Sequence, residues 1–537
     1  MARDRGAWAL LPRSAKTDII NKNMPICGAE MLEETGMENG MVSRKQRWMF
    51  PLCLGLAALF LMLATKSSPL YPLNDWVDAN IYFTIGKGMM HGQVPYLNLY
   101  DQKGPTAYLI YGLASLISGK SFLGVYLLEV LAFGSFLFAI SKIVSLFTGK
   151  SALIILPVFC WAILGSLSFS HGGSFEEFMM PLFAFSLYDS LKYFKTIYPK
   201  PVPYKTIALN ALLAGMMLYG KFTLLAFYIA WMGTIAIAQL AAKQWKRAIG
   251  ASVLFILVMV GVGIPWVIYF NAHGALDEFF YYYFYQNIFG YSYLEAPLIL
   301  TMPYAIVHDV AAFSFRNPQI AGFIALGLVW FLLQKRDQVK AIEKINLLLL
   351  CALLAAGIYC GGQGYRYYGL VLTPFMAIGF VPLVRLWQTH AAPKIQTRAA
   401  KAGLYGALML AMLALTFVTT DNRYMLLKDK EEMPQTQFAK TLKASGEDIS
   451  SLFCYGFPDS GFYLAADVIP EYRFFATSNV ALPDVKTEQA RYADEALPKF
   501  IITRDRELES KAYKQIDSSE FRYEEYERTY RLYERLD

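Results

Sequence analysis

Long apolar runs alternate with short polar connections through most of this chain, and one polar stretch near the start is much longer than the rest. A helix that crosses a bilayer needs about 20 mostly apolar residues. Runs of that kind are predicted at 48–65, 122–141, 151–169, 178–195, 206–220, 222–242, 248–270, 319–334, 345–361, 367–386 and 402–419, eleven in all. Pro105–Ser118 is apolar but too short, so it is expected to lie in the interface or fold back into the protein. From about Thr420 the apolar runs stop. The pattern then predicts a helix over Gln435–Leu442, a strand over Leu452–Phe457, a helix over Glu488–Leu497 and a strand over Lys499–Ile502, a small α/β domain.

Composition agrees with a polytopic membrane protein, mainly α. Of 537 residues 56% are hydrophobic and 17% charged, with a mean hydropathy of +0.34, too apolar for an ordinary soluble domain. A formal charge of +7 raises a nucleic-acid partner, but the cations fall in clusters between runs, as the positive-inside rule requires. With the N-terminus in the cytoplasm, the inner connections hold Lys142 and Lys150; Lys192, Lys195, Lys200 and Lys205; Lys243, Lys246 and Arg247; Lys335, Arg336, Lys340 and Lys344; and Arg385, Lys394, Arg398 and Lys401. The charge therefore reads as topology, with no nucleic acid implied. The expected layout is a cytoplasmic tail 1–47, a membrane domain 48–419 with a first outer loop 66–121, and an extracytoplasmic domain 425–537. Met41, followed by Arg44, Lys45 and Arg47, looks like a cytoplasmic start, so residues 1–40 are expected to be dispensable. The six cysteines show no CxxC and read as small core hydrophobes.

The candidate chemistry sits on the expected outer side. Tyr71–Tyr111 packs Asp75, Asp78, Asp101 and Lys103 among aromatics, Gly and Pro. Ionisable groups held against a bilayer are costly and so point to function. The other outer connections carry His171–Glu177, an aromatic run from Phe279 to Tyr293, and Arg366 flanked by Tyr365, Tyr367 and Tyr368.

Asp78 four residues before Tyr82, then Gly88, Gly92, Pro95-Tyr96 and the Asp-x-Lys-Gly-Pro element Asp101–Pro105, resembles the first outer loop of the GT-C membrane glycosyltransferases, among them the protein O-mannosyltransferases and the aminoarabinose transferases of lipid A. The likeness extends to Gly172–Glu177 and to Arg366, Tyr368 and Pro374. It implies a GT-C-like helical bundle and an inverting transfer from a polyprenyl-phosphate-sugar donor to an envelope glycan, lipid or protein at the outer face. It also implies that Asp78 is the base and that Lys103 holds donor phosphate. The family often has Asp-Glu where this chain has Asp78-Ala79, and Lys-Pro-Pro where it has Lys103-Gly104-Pro105. No cofactor is assigned on these grounds, and a divalent metal ion is the one candidate.

The residues are chemically suited to such a step. A carboxylate can take the acceptor's proton while an oxocarbenium-like centre forms, and Lys103 with Arg366 can stabilise the departing phosphate. Neither a P-loop nor a dinucleotide glycine fingerprint is present. Each residue also has a plainer reading. Asp78 can cap a helix beginning near Ala79, with Asp75 as reserve base or a solvated turn residue. Lys103 can snorkel to headgroups, and Asp101 can pair with it or touch the acceptor. Glu176 and Glu177 can simply favour a helix N-terminus, one of them supporting the site. His171 has no second His at ligand spacing, Arg366 can meet lipid phosphate, and the Phe279–Tyr293 run can be an interfacial belt. A transporter or flippase of a lipid-linked saccharide is the competing class. It would place charges or broken helices near the midplane, whereas these candidates sit at helix ends. A third class is a non-catalytic assembly protein acting through the C-terminal domain.

Overall fold

The computed structural model describes residues 44–149, 153–290, 298–395, 397–478, 482–523 and 526–536. The expectation for residues 1–40 lies outside them.

Helices dominate because no water satisfies backbone groups inside a bilayer, so a spanning segment must satisfy its own. Among the described residues six segments are long and apolar enough to cross: Leu123–Thr148 (α4), Phe222–Ala241, Trp245–Ala272, Ala341–Tyr359, Arg366–Lys394 and Arg398–Thr419. Leu300–Arg316 and Pro318–Leu333, bent by 111° at the break between them, make a seventh if counted as one span. The expected eleven are thus not all reproduced as full-length spans. The runs at 48–65, 151–169 and 206–220 correspond to the shorter apolar helices Trp48–Ala64, Leu153–Leu164 and Tyr204–Leu218. Seventeen residues give about 25 Å of helix against a core of about 30 Å. The run at 178–195 corresponds to α6, Phe175–Lys192, which carries Pro181 and the charged Glu176, Glu177, Asp189 and Lys192.

After the first helix (α1, Arg44–Ala64) the long polar stretch folds into two helices, α2 (Val77–Met90) and α3 (Pro105–Ile117). Proline opens α3, where its missing N–H costs nothing. The two helices cross at glycine: a Cβ on Gly86 would run into the backbone of Gly112 and Tyr108. Pro105–Ile117 is therefore a short helix folded back on α2, as its length suggested, and no span.

The C-terminal segment is a small α/β domain. Its four-stranded sheet has the order β1-β2-β4-β3, from Leu452–Cys454, Phe500–Arg504, Tyr513–Arg522 and Glu527–Arg535. β1 pairs parallel with β2, and the other pairings are antiparallel. The two predicted helices are present as Pro434–Ser445 and Pro483–Asp494, and β3 and β4 are additions. The domain docks on the segment between α1 and α4 through polar contacts: Thr84 Oγ1 donates to buried Asp459 (2.7 Å), Lys87 pairs with Asp467 (2.6 Å), and Tyr100 N donates to the Arg473 carbonyl (2.9 Å).

Candidate active site

Asp78 lies in the first turn of α2, but it does not cap the helix. The N-cap is Trp76, with no side-chain capping bond. The buried Asp78 carboxylate instead accepts through Oδ2 from Tyr82 (3.4 Å) and Tyr367 (3.0 Å). Tyr82 is four residues on and so shares a helix face with Asp78. Tyr367 comes from the 3-10 stretch Arg366–Phe375, nearly 300 residues away. Trp76 holds that arrangement by packing edge-on to Tyr367 (5.1 Å) and stacking on His171 (5.2 Å). Burial, then the charge of Lys66, pushes the His171 imidazole down to about 3, so it is a neutral packing ring.

The Asp101–Pro105 turn docks on the tip of the hairpin formed by Tyr219, Gly220 and Lys221. Gly104 N donates to Gly220 O and Thr106 N to Tyr219 O, both at 3.1 Å. A Cβ on Gly104 would overlap the Tyr219 carbonyl, which gives glycine, in place of a second proline, a local reason. Asp101 accepts from Tyr108 (3.0 Å) and from Lys103 N (3.4 Å). Burial pushes its carboxyl up, and the nearby Lys103 ammonium pulls it back. No direct Asp101–Lys103 ion pair forms, so of the two sequence readings the pair drops out.

Lys221 is the residue that the sequence reading passed over. Its Nζ pairs with Glu176 Oε1 at 2.6 Å and sits 3.2 Å above the ring of Tyr368. The signal was available: a single lysine between the runs 206–220 and 222–242 is a cation at the tip of a tight turn, on the side where Asp78 lies. Arg366, expected beside Lys103, instead faces outward and pairs with Asp421 at 3.2 Å. In the structure the cation facing Lys103 across the site is Lys221, because the tyrosines after Arg366 turn inward and the arginine itself points out.

Glu177 and Asp75 are held elsewhere. Glu177 accepts from Gly173 N (2.9 Å) and hydrogen-bonds buried Glu129, which also accepts from Thr65 (2.9 Å). Gly172 and Gly173, both at positive φ, make the turn that brings these carboxyls together. Asp75 forms a buried ion pair with Lys66 at 2.6 Å, with Tyr424 bridging. Burial alone would raise the Asp75 carboxyl, but Lys66 outweighs it and holds it below the usual carboxylate range.

Two hollows meet at Gln102 and Lys103. One is a cavity of about 290 Å³, lined by Lys103, Lys221 and Asn287 together with Phe222, Ile288, Met302 and Ile358. The other is a narrow cleft bounded by Asp78, Tyr82, Asp101 and Lys103, and closed by Pro458, Thr477 and Ser478 of the C-terminal domain. The aromatic run forms a π-helix over Phe279–Gly290. Tyr283, Asn287 and Ile288 line the cavity, Asn287 donating to the Gln102 carbonyl (2.7 Å), while Phe280, Tyr285 and Phe289 point outward. Residues 291–293 of that run are outside the described part. Among the described residues no group of three or more His, Cys, Asp or Glu side chains is placed to hold a metal ion, and the position after Asp78 is Ala79.

The fold, a helical domain with this loop after its first helix and a small sheet domain after its last, is one shared with solved GT-C glycosyltransferases. ArnT from Cupriavidus metallidurans, solved bound to undecaprenyl phosphate, superposes with a TM-score of 0.58 at 11% identity, over 86% of this chain and 94% of that one. Two looser matches are an Archaeoglobus fulgidus oligosaccharyltransferase (TM-score 0.42, 11% identity, 84% of this chain and 67% of that one) and the arabinofuranosyltransferase AftD from mycobacteria (0.43, 13%, 92% and 40%). No family model matches the sequence, and no curated protein matches it significantly.

Proposed function

We propose that this chain is a membrane glycosyltransferase that moves a sugar from a polyprenyl-phosphate carrier to an acceptor hydroxyl at the outer face of the membrane, inverting the anomeric carbon. The observation that carries the reading is the shared wall at Gln102 and Lys103. On one side lies a largely apolar cavity with two lysines, suited to a prenyl chain ending in phosphate; on the other lies a cleft holding a tyrosine-oriented carboxylate. Undecaprenyl phosphate in the ArnT structure is a ligand of the same chemical class.

In the reaction, Asp78 takes the proton of the acceptor hydroxyl as its oxygen bonds to the anomeric carbon. The bond from that carbon to the carrier phosphate breaks, and the phosphate leaves with the electron pair. Lys221 and Lys103 face the charge that builds there, in a site screened from water where such stabilisation is strongest. Tyr82 and Tyr367 hold the base, and Glu176 with Tyr368 holds Lys221. Asp101 contacts the acceptor, and Arg366 stays at the rim. The basic connections between the apolar runs support a cytoplasmic N-terminus, with the catalytic loop 66–121 and domain 425–537 outside, in a multi-pass protein of the cell membrane.

The test is purified protein in nanodiscs, offered polyprenyl-phosphate-linked hexoses and pentoses with envelope acceptors. Sugar transfer that disappears in Asp78→Asn is the expected result. Failure of wild-type protein to bind any polyprenyl phosphate would reject the reading.

A further inference from the structure

A second and larger cavity, about 410 Å³, lies where the first outer loop meets the C-terminal domain, and it shares no lining residue with the donor cavity. Its walls come from the turn that leaves α1 (Lys66–Leu73), from Lys120–Leu123 at the start of α4, and from the C-terminal domain, including Lys428, Lys430 and Thr436. Four lysines line it, and their compensation is incomplete. Lys66 is neutralised by Asp75, and Lys120 shares Asp467 with Lys87. Lys428 and Lys430 have no carboxylate within ion-pair distance among the described residues. The Thr436 hydroxyl is buried against this wall with no hydrogen-bond partner among them, so a donor stands ready for an acceptor oxygen.

Position gives the occupant. The lining starts at Lys66, two residues past the end of α1 at Ala64, and includes Leu123, the first residue of the membrane helix α4, itself 40% exposed. Leu70, Leu73 and Leu464 add apolar wall. Cations and an unpartnered hydroxyl beside aliphatic side chains, at the start of a helix apolar enough to cross a bilayer, match a phosphate-bearing headgroup with its acyl chains in the membrane. We infer that this cavity is a second lipid site, which binds the headgroup of an anionic phospholipid independently of the polyprenyl-phosphate cavity.

The experiment uses the full chain in nanodiscs of mixed phosphatidylglycerol and phosphatidylcholine, with retained lipid counted by native mass spectrometry. Wild type should keep phosphatidylglycerol in preference. Lys428→Ala/Lys430→Ala should lower that retention by about tenfold, and Thr436→Val should lower it less. Lys221→Met, in the other cavity, should leave it unchanged. Equal retention by wild type and the double lysine variant would overturn the inference. So would complete displacement of phosphatidylglycerol by inorganic phosphate, which would show that the site takes free phosphate and not lipid. None of these readouts requires sugar transfer, so the inference can fail while the transferase reading stands.

Discussion

The Lys221 ammonium lies 2.6 Å from the Glu176 carboxylate, and the two come from adjacent turns of the bundle, 45 positions apart in sequence. Burial drives the ammonium down to about 8, and Glu176 opposes that fall. Lys221 is therefore cationic below about pH 8 and neutral above it, so its hold on phosphate is lost as pH rises. Polyprenyl-phosphate binding should weaken through about pH 8. Glu176→Gln should move the midpoint down, since the largest group favouring the charged form is gone. A pH series of binding constants checks both, and a midpoint that rises in Glu176→Gln would contradict the assignment.

Asp78 and Tyr367 should separate in magnitude. Removing the base is expected to lower kcat by about 10² to 10⁴ with little change in KM for the donor. Tyr367→Phe removes one oriented hydrogen bond of 3.0 Å and should cost about tenfold. Steady-state kinetics of Asp78→Asn and Tyr367→Phe decide this; equal losses would mean that the tyrosine itself touches the reacting atoms.

The buried Asp75–Lys66 pair is assigned to structure. Its side chains are only 7% and 2% exposed, and breaking one partner of such a pair costs about 3–5 kcal/mol. Asp75→Asn should lower the unfolding temperature while the folded fraction keeps its specific activity, and Asp75→Asn/Lys66→Met should recover part of the loss. Activity that vanishes at unchanged stability would instead return Asp75 to the role of base.

Asp459 ties the C-terminal domain to α2, and burial pushes its carboxyl up to about 6 against the bonds from Thr84 and Gly461. The folded value exceeds the unfolded one of about 4. The stabilising contribution is full below about 4 and is lost as pH rises through about 6. Limited proteolysis should release the domain faster at pH 7.5 than at pH 5, and Asp459→Asn should flatten that difference. A difference of the same size in the variant would place the titration elsewhere.

Much of this was legible in the residues themselves. Asp78, Asp101, Lys103 and the Gly172–Glu177 segment stood out because charge is scarce in an apolar chain, and the structure groups them at one end of the bundle. What escaped was pairing across distance. Whether Lys221 or Arg366 faces the site depends on which way a three-residue turn points, and nothing local encodes that. Glu176 and Glu177 are neighbours in sequence but project to different sides of α6, one toward Lys221 and one toward Glu129, and either fits a helix N-terminus equally well. The eleven expected spans are not all full-length helices, because apolar runs of 15 to 19 residues read alike whether the helix crosses or stops short. Strands β3 and β4 were missed because their alternation is carried by few apolar residues in largely polar segments.

The peptide from Gln102 to Lys103 is a wall shared by the two hollows. On the proposed reading it would let a lipid carrier keep its chain in hydrocarbon up to its phosphate while the acceptor stays in water up to its hydroxyl, so neither would be dragged wholly into the other's medium. A loop one residue longer here would thicken that wall and keep the reactants from touching even with every side chain intact.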